Sequence, residues 1–220
     1  MRIRKKKNCG ARMEACSDIW VREAEESKGN WSRIFENDNP IHLEIGCGKG
    51  RFVTEMAKQN PDVNFIAMDL FCDVLVLAME KAKEEGVPNV RFFTGNAAEL
   101  DKYFEKGEIK RIYLNFSDPW KKNKQAKRRL THKNFLDVYK KVLENGDYIF
   151  FKTDNKDLFE FSLNSFAEEN FKLGNITLDL HNSKYEGNVM TEYETKFSEM
   201  GMPIYRMEAR YLGWDAENGK

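Results

Sequence analysis

From residue 40 onward, short apolar segments rich in strand-forming residues alternate with longer segments that have helical spacing. This alternation is typical of βαβ units, in which helices connect parallel strands. The predicted strands cover residues 41–45, 64–70, 90–94, 111–116, 147–153, 177–180 and 204–211, and the predicted helices cover residues 51–59, 72–85, 97–104, 131–143, 156–169 and 191–200. The fold class that follows is α/β: a doubly wound, mostly parallel seven-stranded sheet with helices on both faces and an antiparallel hairpin at one edge.

One domain, residues 31–212, accounts for these elements, because a chain of 220 residues is long enough for one large core. Residues 1–30 are polar and basic with weak periodicity, and we predict an N-terminal arm that could be partly ordered. Residues 213–220 form a predicted flexible tail. The basic N-terminus lacks the apolar core of a signal peptide, and no stretch reaches the length of a membrane span, so a cytoplasmic protein is expected.

The four cysteines form no CxxC pair, and the three histidines lie far from them in the sequence. This spacing predicts neither a zinc site nor a disulfide framework, so we expect free thiols and no bound metal. Nothing in the sequence indicates an obligate protein partner, and the expected state is a monomer or a weak homodimer.

A glycine-rich loop follows the first predicted strand. Glu44 begins the pattern E-x-G-x-G-x-G, which continues with Gly46, Gly48 and Gly50. Glycines at such a turn allow the backbone to approach a ligand closely. A dinucleotide fingerprint would need a glycine at position 51, where this chain has arginine, so a nicotinamide dehydrogenase fits less well.

Polar side chains also end the next two predicted strands. Asp69 can accept hydrogen bonds from a ribose diol, and Asn96 can hold an adenine through its amide. Ordinary turn chemistry is the structural alternative for both residues. Together with the glycine loop, they resemble motifs I and II of the class I methyltransferases, which bind S-adenosylmethionine.

The fourth predicted strand ends at Ser117-Asp118-Pro119-Trp120, because proline cannot donate to a sheet ladder. Asp118 is therefore expected at the carboxyl end of this strand, beside Asp154 at the end of the next one. Methyltransferases that act on the adenine amino group carry [ND]PP[YF] at this point. Guanine N7 instead has a free lone pair and needs no strong base, so positioning and electrostatic stabilisation suffice. The carboxylates of Asp118 and Asp154 could also accept hydrogen bonds from the guanine edge. The structural alternative for Asp118 is that it stabilises the turn before Pro119.

Cations cluster in the sequence although their total of 36 balances the 36 acids. One cluster lies in residues 2–7 and the other follows Trp120, with Lys121, Lys122, Lys124, Lys127, Arg128 and Arg129. The second cluster could contact RNA phosphates, and a solvated surface is the alternative. Trp120 could stack on an unpaired base or pack beneath the loop.

Four segments together resemble the bacterial tRNA (guanine-N7-)-methyltransferase family: residues 115–120 (NFSDPW), 127–131 (KRRLT), 151–155 (FKTDN) and 187–194 (GNVMTEYE). The likeness extends from about residue 30 to residue 211. It implies a Rossmann-like class I methyltransferase domain that transfers a methyl group from S-adenosylmethionine to N7 of a guanine in tRNA. The implied target is position 46 in the variable loop, and the implied product is 7-methylguanosine.

The resemblance also implies roles for individual residues. The cofactor-binding residues would be Glu44, Gly46, Gly48, Asp69, Asn96 and Asp118, with Asp118 also the catalytic candidate. The substrate-binding residues would be Lys122, Asp154, Thr191, Glu192, Tyr193 and Glu194. The RNA-contacting residues would be Lys124, Lys127, Arg128 and Arg129. For Thr191 and Glu194 the structural alternative is a capping box at the start of a helix.

The chain departs from the family pattern at three of these motifs. Lys121 replaces a usual proline, Cys47 stands where serine is frequent, and Asn96 stands where an acidic residue is also found. Two other functions remain open from the sequence: a methyltransferase for another RNA or protein, and a non-enzymatic RNA-binding protein. The retained glycine loop with Glu44 and Asp69 argues against a pure binding protein, which would not need them.

Overall fold

The structure, a computed structural model, describes residues 8–213, in which seven strands form one sheet. The strands are β1 (Ile41–Ile45), β2 (Asn64–Asp69), β3 (Val90–Thr94), β4 (Ile109–Asn115), β5 (Tyr148–Thr153), β6 (Phe171–Thr177) and β7 (Tyr205–Tyr211). Their order across the sheet is β3-β2-β1-β4-β5-β7-β6. The pairs from β3 to β5 are parallel, and β7 is antiparallel to both β5 and β6. The predicted mostly parallel sheet with an antiparallel edge hairpin is confirmed.

Helices cover both faces of this sheet. They are α1 (Cys9–Glu14), α2 (Trp31–Phe35), α3 (Arg51–Gln59), α4 (Cys72–Glu84), α5 (Leu100–Tyr103), α6 (Lys133–Val142), α7 (Lys156–Glu168) and α8 (Glu192–Glu199). Apolar residues of α2, α5, α6 and α7 pack in one core cluster, and those of α1, α3 and α4 pack in a second cluster. Alternate residues of β1 face opposite sides, which is how one short strand contributes to both layers. Within residues 8–213, no helix is long and apolar enough to cross a membrane.

The strand order reverses between β1 and β4, which pair with each other although β2 and β3 separate them in sequence. In open α/β sheets this is where a crevice forms outside the carboxyl ends of the strands. The start of α3, at the end of the glycine loop, packs closely against α4. A Cβ atom added to Gly50, whose φ is +81°, would lie 2.6 Å from Ala78 Cβ. Only glycine fits at this end of the loop.

The position predicted for the sixth strand is wrong. The sequence favoured residues 177–180, whereas β6 covers Phe171–Thr177 and begins directly after Asn170, which has a φ of 65°. Gly174 and Asn175 suggest a turn from sequence alone. The strand is at the edge of the sheet and its pairing with β7 is irregular between Gly174 and Thr177, so it tolerates residues that weaken an interior strand.

The described part of the predicted N-terminal arm packs against the domain. Met13, Cys16 and Ile19 are buried, and Trp20 forms an isolated parallel bridge with Phe92 of β3. These contacts cover the edge of the sheet at β3, which would otherwise present unpaired backbone groups. The first basic cluster in residues 2–7 lies outside the described residues, as does the predicted tail apart from Gly213.

Candidate active site

The glycine loop, residues 46–50, turns the chain from β1 into α3. Gly46 and Gly48 have φ values of 76° and 57°, a region that residues with a Cβ rarely adopt. The N–H groups of Gly46 and Cys47 both donate to Met68 O of β2, at 2.8 and 3.2 Å. A Cβ on Gly46 or Gly48 would meet nothing within 4 Å, so open space remains above the loop for a ligand.

Glu44 lies in β1 directly below this loop and is 2% exposed. Its Oε1 accepts a hydrogen bond from Asn115 Nδ2 at 3.0 Å, and its buried Oε2 has no hydrogen-bond partner. Burial raises the pKa of Glu44 to about 8; the Asn115 hydrogen bond and the Lys152 charge oppose this rise, while the charges of Glu192 and Asp69 add to it. The site therefore offers a carboxyl oxygen that lacks a donor, which suits the N–H groups of a cationic ligand.

We predict that Glu44→Gln changes how stability depends on pH. The pKa of Glu44 is about 8 in the folded protein and 4.5 for an ordinary glutamate, so the folded state binds the Glu44 proton more tightly than the unfolded state does. The free energy of unfolding of wild type therefore falls as pH rises from 4.5 to about 8. Glutamine mimics the protonated form. The variant should therefore gain stability relative to wild type, by at most about 1.4 kcal/mol per pH unit, as pH rises through the interval.

Urea unfolding of both ligand-free proteins across this pH range measures the difference. Glu168→Gln, at an exposed position of α7, is the matched control and should give a difference that does not change with pH. Parallel pH profiles for wild type and Glu44→Gln would contradict the unusual protonation of Glu44.

Asp69 is the last residue of β2 and Asn96 follows β3, at the same edge of the sheet as the loop. Asp69 Oδ1 accepts from Phe71 N–H at 3.1 Å, and Asn96 Oδ1 accepts from Ala98 N–H at 3.0 Å. Burial raises the pKa of Asp69, against the effect of backbone N–H groups that include those of Phe71 and Gly48. Both side chains thus stabilise local turns, which was the structural alternative for them. Their position beside the glycine loop is also compatible with the predicted ligand contacts.

Asp118 and Asp154 lie beyond the ends of two neighbouring strands. Asn115 of β4 pairs with Lys152 of β5, and Phe116 N–H continues the ladder by donating to Lys152 O at 2.9 Å. Asp118 is exposed and Asp154 is half-buried. The structure therefore brings both carboxylates to the edge of the sheet that also carries the glycine loop.

The loop that holds Asp118 is strained and is braced from below. Phe116 and Trp120 have φ values of 53° and 42°, conformations that cost bulky residues on the order of 1–3 kcal/mol each. The Arg129 guanidinium donates to Pro119 O at 3.0 Å and to Trp120 O at 3.2 Å, and it stacks on Phe161. Arg129 was predicted to contact RNA. Its side chain is buried and its Nε and Nη2 atoms donate to the loop backbone, so Arg129 holds the loop, and a direct contact with RNA stays a prediction.

The other cations of this run are on the surface. Residues 123–128 form a short 3₁₀ helix, and Arg128 lies over the Trp120 ring at 4.9 Å from its centroid. The exposed cations are Lys121, Lys122, Lys124, Lys127 and Arg128. Trp120 is half-buried, so its ring bears a cation on one face rather than lying wholly within the core.

The predicted substrate segment opens α8, but its residues have different environments. Thr191 Oγ1 accepts from Glu194 N–H at 3.0 Å, which is half of the capping box. Glu194 is fully buried, and its carboxylate accepts from Lys152 Nζ at 2.7 Å, so it does not reach the surface where it was predicted to bind substrate. Glu192 is half-buried and Tyr193 is 51% exposed, so these two remain able to contact a substrate.

Two contacts that connect these parts could not be predicted from the motifs. Arg51, the first residue of α3 after the glycine loop, donates to Thr195 Oγ1 of α8 at 2.8 Å. Asn115 joins β4 to Glu44 of β1. Asn115 begins one of the segments that resemble the family, so the sequence indicated the residue. The sequence did not indicate that it bonds to Glu44 in another strand.

Cys9 of α1 lies close to Cys72 and Asp73 at the start of α4. Their possible ligand atoms are all within 4.8 Å of one another. Burial raises the pKa of the Cys9 thiol to about 11, and the neighbouring Cys72 adds to this effect. Sequence spacing missed the contact because the two cysteines come from separate helices.

Comparison with known proteins gives consistent matches along nearly the whole chain. Residues 38–207 match the family model described as "Putative methyltransferase". The tRNA (guanine-N(7)-)-methyltransferase of Listeria monocytogenes serovar 1/2a is 51% identical over 211 residues, covering 96% of this chain and 99% of the relative. The protein of the same name from Streptococcus pneumoniae is 52% identical, covering 96% of this chain and 100% of the relative.

A solved structure extends the likeness to the fold. The 16S rRNA methyltransferase KamB has a TM-score of 0.64 at 14% identity, covering 84% of this chain and 93% of that chain. At this identity the match shows a shared fold, the class I methyltransferase fold that was predicted, and nothing more specific. Because close relatives match it over nearly its full length, the chain belongs to the tRNA (guanine-N(7)-)-methyltransferase family.

Proposed function

We propose that this protein transfers a methyl group from S-adenosylmethionine to N7 of a guanine in tRNA. The observation that carries the proposal is 51–52% identity, over almost the whole chain, to relatives named for this activity. The arrangement of acidic side chains around one edge of the sheet fits the same chemistry. We further propose position 46 of the variable loop as the target, in line with the resemblance of the motifs.

The cofactor would lie along the edge formed by β1, β2 and β3. Glu44, whose buried Oε2 lacks a donor, would accept from the ammonium group of the cofactor. Asp69 would accept from the ribose hydroxyls and Asn96 would contact the adenine, while Gly46 and Gly48 leave room for the backbone to approach. When bound, S-adenosylmethionine supplies an electrophilic methyl group on a sulfonium.

Guanine N7 would attack this methyl group with its free lone pair, and the electron pair of the broken carbon–sulfur bond would stay on sulfur. The purine would become positively charged, and no side chain would need to remove a proton during transfer. The carboxylates of Asp118 and Asp154 would stabilise that charge and orient the base by accepting from its N1–H and amino group. Lys122, Glu192 and Tyr193 are the remaining surface candidates around the base. Thr191 and Glu194 would act through the structure of α8 rather than by contact.

The exposed cations beside the site would bind tRNA phosphates. Joint replacement of Lys124, Lys127 and Arg128 by glutamine should raise the KM for tRNA and reduce its dependence on salt, because phosphate contacts release counterions. Each lost contact should reduce the slope of log affinity against log salt by about one. Steady-state kinetics at several salt concentrations measure both effects.

Matching replacement of Arg22, Lys102 and Lys141, which are cations remote from this loop in sequence, is the control. An unchanged KM in the first variant would mean that the run is only solvated surface. A similar rise in both variants would point instead to nonspecific attraction.

The function itself is tested by incubating purified protein with unmodified tRNA and cofactor labelled in its methyl group, followed by nucleoside mapping. The expected product is labelled 7-methylguanosine in the variable loop. Label at another nucleotide would reject the proposed target while retaining methyl transfer to RNA. No transfer together with no binding of S-adenosylhomocysteine would reject the enzyme assignment.

A further inference from the structure

A cavity of about 290 Å³ lies on one face of the sheet. Its floor is formed by β4, β5 and β7, and its walls are α3 and residues 185–189, which precede α8. The volume is at the lower end of the range for small-ligand pockets. The cavity is therefore large enough for a small group such as a single phosphate.

Three cationic side chains line this cavity: Arg111, Lys152 and Arg206. Lys152 is paired with Glu194 and Arg206 with Glu208. Among the salt bridges of residues 8–213, none includes Arg111. The cavity thus carries one guanidinium whose charge has no acidic partner within the described chain.

The contacts of Arg111 leave hydrogen-bonding capacity unused. Its Nη1 donates to Tyr113 Oη at 3.1 Å, and its buried Nε has no hydrogen-bond partner. The guanidinium stacks on Phe150, 4.3 Å from the ring centroid. A planar guanidinium with free donors is suited to hold an oxyanion through more than one hydrogen bond.

Other titratable groups around Arg111 do not neutralise it. His42 Nδ1 is 3.3 Å from Tyr113 Oη, and the pKa of this histidine is lowered to about 3, first by burial and then by the Arg111 charge. The imidazole is therefore neutral, and burial raises the pKa of Tyr113, so the phenol is neutral too. Glu186 also lines the cavity, but it is exposed and forms no salt bridge with Arg111 among the described residues.

We propose that this cavity binds a phosphate group, held by Arg111 with Arg206 and the Tyr113 hydroxyl around it. An oxyanion would supply the charge that the described chain lacks there and would satisfy the Nε donor. The group could belong to free phosphate or to the backbone of bound RNA, which share this chemistry. Asn115, which also lines the cavity, donates to Glu44 of the proposed active site, but phosphate binding itself does not require methyl transfer.

Arg206 and Lys152, two of the three cations, also contact the wall of the cavity. Tyr185 stacks on the Arg206 guanidinium at 3.6 Å, and Lys152 Nζ donates to Asn188 Oδ1 and Val189 O at 3.0 and 2.9 Å. The same segment continues into α8, whose first residues are substrate candidates. Occupancy of the cavity is thereby connected through the backbone to the substrate side of the site.

Isothermal titration calorimetry with inorganic phosphate, at constant ionic strength and without cofactor, tests the proposal. Wild type should bind phosphate at one saturable site, and Arg111→Gln should weaken this binding by about tenfold or more. Arg111→Lys, which retains the charge but not the planar fork, should bind with intermediate affinity. Arg210→Gln, at an exposed position of β7, should bind like wild type.

A second arm identifies the source of the phosphate group. If unmodified tRNA competes with phosphate, and Arg111→Gln lowers tRNA affinity, the site holds an RNA backbone phosphate. If tRNA and phosphate bind together, the site serves a free phosphate group. The proposal is overturned if Arg111→Gln changes neither phosphate nor tRNA binding, or if phosphate binds equally to wild type and Arg111→Gln. Absence of methyl transfer would leave these binding results unaffected.

Discussion

Replacement of Asp118 by alanine is expected to lower kcat for methyl transfer by about 100- to 1,000-fold, the usual loss when one group that stabilises transition-state charge is removed. The residue is exposed at the end of β4, so its removal should change the free energy of unfolding by no more than about 0.5 kcal/mol. Single-turnover kinetics with saturating tRNA measure the rate, and urea unfolding measures the stability. A large loss of rate without loss of stability is the result that the proposed chemistry requires.

Asp118→Asn separates two possible contributions of this side chain. Asparagine keeps a hydrogen-bond acceptor but loses the negative charge. A rate as low as that of Asp118→Ala would assign the effect to charge, whereas substantial recovery would assign it to orientation of the base. Asp62→Ala removes an exposed carboxylate at the opposite edge of the sheet and should retain the wild-type rate. Near-wild-type turnover in Asp118→Ala would remove this residue from the mechanism.

The position of Asp118 shows what local sequence can determine. Proline at 119 must end a strand, and the parallel strands β4 and β5 end at the same edge of the sheet, so the placement of Asp118 and Asp154 at that edge followed from sequence. The same reasoning located β1 and β3 at the residues where the structure has them. It failed for β6, because an irregular edge strand accepts glycine and asparagine that are otherwise typical of turns.

Contacts between distant segments were beyond sequence reasoning. Arg129 belongs to a run of cations that otherwise faces solvent, and only the fold shows that it turns inward to hold the loop at Pro119. Arg111 and Arg206 are charged residues within strands, and nothing in their spacing indicates that they share a cavity with an unmatched charge. Tertiary pairing decides whether such a charged side chain is solvated, structural or able to bind a ligand.

Glu194 is the clearest example of a charged side chain whose role is decided by tertiary pairing. Its salt bridge with Lys152 predicts a second large effect, on the free energy of unfolding. Lys152→Met should lower the free energy of unfolding by about 3–5 kcal/mol, because it leaves the fully buried Glu194 carboxylate with only its Asn188 and His181 contacts and without the lysine charge. Burial lowers the pKa of Lys152, and the Glu194 charge opposes that change, so the charge on Lys152 depends on Glu194. Urea unfolding near neutral pH measures the loss.

Lys141→Met is the matched control, because Lys141 lies 2.7 Å from Asp101, as Lys152 does from Glu194, but its pair is exposed. Water already solvates those charges, so the control should lose no more than about 1 kcal/mol. Adding Glu194→Gln to Lys152→Met should recover part of the loss, since it removes the uncompensated charge, and the double-mutant cycle gives the coupling. Equal losses in the buried and exposed variants would mean that the lysine contributes through packing alone. Because Glu194 lies in the first turn of α8, a true ionic coupling would also mean that the substrate segment is held in place from within the core.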